Sequence, residues 1–144
     1  LYTLSLHDAL PISVTLQALY QIELTGVSIG DALSFSWYDK VLEPEEKELA
    51  TQLIKGVVKN WDLLDTIIKS YSKNWEFERI SVVNRCILRL SIYSLINQRD
   101  IPPKVVINEA IELTREFESE TAVTFINGIL DAVYKDELAK LSGD

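Results

Sequence analysis

A chain of 144 residues with 47% apolar and 25% charged side chains has the length of one ordinary domain and a globular composition, which disfavours disorder and fibrous repeats. Its net charge of -8, from 22 acidic and 14 basic residues, argues against a nucleic-acid surface spread over the whole molecule, because phosphate contacts need clustered lysine and arginine; any such site must be local. One cysteine and one histidine make neither an internal disulfide nor a zinc site, and no apolar run approaches the roughly 20 residues of a membrane span. The expectation is a cytoplasmic chain away from the membrane, with no metal and no cofactor.

The first thirteen residues, LYTLSLHDALPIS, fit neither a helical period nor a strand alternation that continues beyond Ser13, and Pro11 would interrupt a helix. No basic residue precedes their apolar part, as a secretion signal would require; the first Lys or Arg is Lys40. The string resembles the translation of a sequencing adapter. Residues 1–13 are therefore expected to be a non-native or disordered leader that includes His7, and residues 14–141 the helical domain.

From Val14, the positions Leu16, Ala18, Leu19 and Ile22 recur at helical spacing up to Gly26, a natural C-terminal cap. Gly30 and Asp31 predict a turn and N-cap for a short amphipathic piece with Leu33, Phe35, Trp37 and Tyr38. Pro44 with Glu45, Glu46 and Glu48 opens a helix, since proline suits a first turn and carboxylates suit the positive end of the dipole. Its stripe from Leu49 to Tyr71 predicts a single long helix, bent near Gly56. After Ser72–Asn74, Trp75, Phe77 and Ile80 lead into a helix burying Val83, Cys86, Ile87, Leu90, Tyr93 and Leu95 or Ile96. Ile101-Pro102-Pro103 closes that helix and opens the next, with the stripe Val106, Ile107, Ala110, Ile111, Thr114 and Phe117; a last helix runs from about Thr121 past Tyr134. No segment reads as a strand, so the fold is expected to be all-α, an antiparallel helical bundle with short connections.

Groups that carry catalysis are missing. The five glycines make no phosphate loop and no G-x-S-x-G elbow, and Cys86 reads as a packed small apolar group with no histidine to activate it. Glu109, Glu112 and Glu116 share one helix at i+3 and i+4, which superficially suggests a metal cluster, but with Arg115 beside Glu112 they read as an exposed, solvated face. Charge is distributed unevenly: residues 69–104 carry seven bases against three acids, a net of +4. Arg85 and Arg89, at i and i+4, fit a local positive face, with Tyr71, Lys73 and Trp75 nearby as phosphate contacts and stacking surfaces; the competing reading is a salt-bridged surface with the aromatics in the core.

Three segments resemble the NusB family of bacterial transcription antitermination factors. LQALYQIELTG (Leu16–Gly26) is similar to its first helix, RCILRLSIYSL (Arg85–Leu95) to its central helix, and IPPKVVINEAIELTREF followed by TFINGILD to its C-terminal signature. The resemblance implies an all-α fold of two small antiparallel subbundles and no catalysis. It also implies binding to the boxA element of nascent ribosomal RNA leaders together with a small-subunit ribosomal protein, NusE, so that RNA polymerase within the antitermination complex reads through terminators. Carried over by motif, Tyr71, Lys104, Phe125 and Asn127 are the candidate RNA-side residues, and Tyr20 and Asn84 face the protein partner.

The sequence departs from the family where an arginine run normally opens the first helix, at Thr124, where lysine is common, and at Asn84, often a carboxylate. Fewer phosphate contacts imply weak binding to boxA-like RNA. Three other readings compete. The N-terminal domain of an rRNA cytosine methyltransferase would need a methyl-donor motif that is absent, and a helix-turn-helix would present Glu109, Glu112, Glu116 and Glu118 to duplex phosphates. The third is a generic helical protein-interaction module.

Overall fold

The computed structural model describes residues 6–73 and 75–141. Among them are seven α-helices and no strand: α1 Leu6–Thr25, α2 Ile29–Ser34, α3 Pro44–Lys59, α4 Trp61–Tyr71, α5 Val82–Asn97, α6 Pro103–Phe117 and α7 Glu120–Leu141, with a 3-10 turn at Phe77–Arg79. None of these helices is long and apolar enough to cross a membrane.

Helix α1 ends where expected. Gly26 takes the left-handed conformation at φ 71°, and its N–H donates to the Ile22 carbonyl at 3.2 Å. Its first described residue is Leu6, within the stretch expected to be a leader, and residues 1–5 of that stretch lie outside the described residues. Pro11 lies inside α1, in its second turn, where it forfeits one backbone hydrogen bond and its ring crowds the preceding turn. Leu10 and Ile12 continue the apolar faces on which Val14 and Leu16 lie, and the buried Thr15 hydroxyl donates to the Pro11 carbonyl at 2.7 Å. The short α2 is capped by Ser28, not Asp31: the Ser28 hydroxyl accepts from the Asp31 N–H at 3.0 Å. Phe35 closes α2 at φ 55°, a costly conformation for a side chain with a Cβ, and its ring is buried in return.

The long helix expected from Leu49 to Tyr71 is two helices. The break lies at Asn60, whose side-chain amide donates to the Gly56 carbonyl at 2.7 Å and competes with the backbone for it. Gly56 is not a hinge. A Cβ there would collide with the ring and hydroxyl of Tyr93, so the missing side chain is what lets α3 approach α5. Gly56→Ala is expected to lower stability by about 1–3 kcal/mol, as overpacking does; urea unfolding measures it, and an unchanged midpoint would remove glycine's packing role.

Two cores result. Val14, Ala18, Ala32, Phe35, Ala50 and Ile54 form a small one among α1, α2 and α3. The opposite side of α1, with Leu16 and Leu19, joins the larger core that α3 to α7 share. Helix α5 runs through its centre, against α1, α3, α4, α6 and α7. Every residue from Cys86 to Ile92 is buried, so the single stripe predicted for α5 is too narrow. On α6 the buried face holds Val106, Ala110 and Thr114 as expected, but turns toward Glu109 and Leu113, leaving Ile107 and Ile111 half-buried.

Candidate nucleic-acid interface

The connector from α4 to α5 and the junction of α6 with α7 enclose a groove of about 840 Å³, lined by Trp75, Arg79, Asn84, Thr124 and Phe125 among others. Phe125 is half-buried and Trp75 is 57% exposed; their rings meet edge to face, with centroids 5.8 Å apart and an interplanar angle of 64°. Asn84 sits in the first turn of α5, capped by Ser81, and its Oδ1 is buried with no hydrogen-bond partner. Phe125 and Asn84, expected on the RNA side and the partner side respectively, thus line one groove.

The other sequence-predicted residues lie elsewhere. Asn127 is exposed two residues beyond Phe125, which places it about 200° round α7. Tyr71 is half-buried and its hydroxyl donates to Asp136, far along α7 from Phe125. Acceptance by Asp136, assisted by partial burial, pushes the phenol up to about 12, so it stays protonated at neutral pH. Lys104 is exposed in the first turn of α6, about 20 Å along that helix from the groove. Tyr20 lines a second depression of about 310 Å³ with Leu16, Gln17, Gln21, Val83 and Phe117. Val83 and Phe117 are the chain neighbours of Asn84 and Glu118 on the larger groove, so the two depressions flank one seam.

Arg85 and Arg89 do not form the positive face that their spacing suggested. Both turn inward to carboxylates, Glu23 on α1 and Asp65 on α4. Arg85 Nε donates to Glu23 at 3.0 Å, and its Nη1 donates to the carbonyls of Ile80 at 2.6 Å and Phe77 at 3.4 Å. Arg89, 1% exposed, also reaches Glu23 and donates to Asp65 through Nε at 2.6 Å and Nη2 at 3.2 Å. Its guanidinium lies 4.0 Å from the centre of the Trp61 ring. Burial alone would push the Glu23 carboxyl up; the hydrogen bonds and charge of Arg85 and Arg89 outweigh that and hold it below the ordinary value. The network joins α1, α4 and α5 and pins the turn after Trp75.

Cys86 is buried, and burial pushes its thiol up to about 12, so at neutral pH it is a protonated packing group. The three glutamates of α6 do not share a solvated face: Glu109 is buried, while Glu112 and Glu116 are exposed, with Glu112 3.4 Å from Arg115. No cluster of metal-ligating side chains occurs among the described residues.

A family model described as the NusB family matches residues 13–135. The chain belongs to the NusB family. The transcription antitermination protein NusB of Leptospira biflexa is 57% identical to it over 126 residues, covering 88% of this chain and 90% of the relative. Its counterpart in Anaeromyxobacter dehalogenans is 46% identical over 121 residues, covering 82% and 83%. Among solved structures, NusB of T. maritima is similar with a TM-score of 0.81 at 34% identity, covering 88% of this chain and 89% of the other. A crystal structure of the antitermination factors NusB and NusE in complex with dsRNA is similar with a TM-score of 0.82 at 25% identity, covering 92% and 99%.

Two features of this chain escaped the sequence reading. Glu23 lies four residues after Leu19 and seven after Leu16, so a carboxylate on the buried stripe of α1 was a legible sign of an internal partner. The Trp75–Phe125 contact had no local sign, because it joins residues far apart in the chain.

Proposed function

We propose that this chain is a cytoplasmic transcription antitermination factor that binds the boxA element of ribosomal RNA leader transcripts together with ribosomal protein NusE. In this role it helps RNA polymerase read through terminators. It works by binding rather than by catalysis. The observation that carries the reading is the groove in which an aromatic pair, Trp75 and Phe125, meets the guanidinium of Arg79, on a chain of the NusB family. Single-stranded RNA is held by such surfaces, since unstacked bases need ring faces and phosphates need nearby cations.

Phe125 supplies a ring in the groove, while Tyr71 on α4, Lys104 on α6 and Asn127 on α7 make further RNA contacts away from it. Tyr20 and Asn84, on either side of the seam between α5 and α6, face NusE. Protein and RNA then meet at the groove that Asn84 and Phe125 share, where each can raise the affinity of the other.

The test is a three-component assembly. Chain, purified NusE and a boxA RNA are mixed and resolved by size-exclusion chromatography, with a scrambled RNA alongside. Co-elution of all three with boxA and loss of RNA with the scrambled sequence is the expected result; no ternary species at low salt would overturn the reading.

A further inference from the structure

We infer that Trp75 is the ring on which an unpaired RNA base stacks, with Phe125 as the wall that sets its angle and Lys73 and Arg79 as flanking phosphate contacts. The inference rests on the proposed RNA-binding function and adds to it a specific base platform.

The five large apolar side chains most exposed among the described residues are Leu24, Ile29, Val41, Leu63 and Trp75, and of these only Trp75 lines the groove. An indole left 57% exposed forgoes a large burial gain, yet this one is held in place. Its backbone N–H donates to the Ser72 carbonyl at 2.9 Å and its ring abuts Phe125. The turn after it is tied through the Phe77 and Ile80 carbonyls to Arg85, which is itself fixed by Glu23. A ring positioned before binding loses little conformational freedom when a base arrives.

Charge favours a polyanion over an apolar protein segment. The acids on the opposite rim are engaged within the chain: Glu118 accepts from the Ser81 hydroxyl at 2.6 Å, and Glu120 accepts from Arg115 at 2.9 Å. From the last turn of α4 through the connector, Lys69, Lys73 and Arg79 face Glu76 and Glu78, a net of one positive charge. Arg79 is 76% exposed and pairs with the equally exposed Glu76 at 3.6 Å, an ion pair that a phosphate can displace.

The experiment titrates the whole chain, as wild type, Trp75→Ala and Trp75→Phe, with a short labelled single-stranded boxA RNA by fluorescence anisotropy at several salt concentrations. Each protein is titrated separately with NusE. Trp75→Ala is expected to bind RNA roughly 5- to 150-fold more weakly, the range for loss of one stacked base, with an unchanged slope of affinity against salt and unchanged NusE binding. Trp75→Phe keeps a ring and should stay within about threefold of wild type. Wild-type affinity in Trp75→Ala, or loss in Trp75→Phe as deep as in Trp75→Ala, overturns the stacking role alone. Loss of NusE with RNA binding intact would make Trp75 a protein anchor instead. Absence of RNA binding by the wild-type chain would overturn the functional reading itself.

Discussion

Arg89→Ala is expected to cost about 3–5 kcal/mol of folding stability, much of the roughly 5–15 kcal/mol that a domain possesses. The charge removed links Glu23 to Asp65, which are 18% and 16% exposed and would be left facing each other across a space the guanidinium had filled. Like charges brought close and partly desolvated repel, and the ring of Trp61 loses its cationic partner. A midpoint shift in urea at constant slope reads the loss, and heating should show a fall in Tm on the order of 10 °C. The quadruple variant Arg85→Met, Arg89→Met, Glu23→Leu, Asp65→Leu separates packing from charge: apolar replacement of a whole buried network is often neutral, so it should recover most of the stability. A cost below about 1 kcal/mol for Arg89→Ala would mean that the carboxylates rehydrate freely and that the network holds nothing together.

Phe125→Ala should give the largest loss of RNA affinity of any single change. It deletes one ring and leaves the edge of Trp75 without the wall that orients it, so two stacking surfaces fail together and the loss belongs at or above the upper end of the roughly 5- to 150-fold range. Folding should survive, because Phe125 is half-buried at the margin of the larger core while the adjacent Ile126 is fully buried within it. Phe125→Tyr keeps the ring and should bind nearly as the wild type does. Anisotropy titration against boxA RNA reads all three proteins, with circular dichroism as the check on folding; equal affinities for Phe125→Ala and wild type would remove the residue from the RNA side.

Much of this molecule was written locally. The glycine stop after α1, the proline starts of α3 and α6, and the absence of strand patterning act over a few residues, through backbone conformations that neighbours can neither supply nor forbid. The family motifs were equally legible, and they carry most of what is concluded about function. Tertiary structure decided the fate of polar side chains. Arg85 and Arg89 have the same spacing whether they point to phosphates or to Glu23 and Asp65, and only the approach of α1 and α4 settles it. Glu109 is buried because α6 turned further than its apolar stripe implied, and the break between α3 and α4 fell at Asn60 because an amide reached back to a carbonyl. Periodicity measures which way a helix faces; a charge or an amide takes its role from whichever partner the other helices bring, and that information is spread over the whole chain.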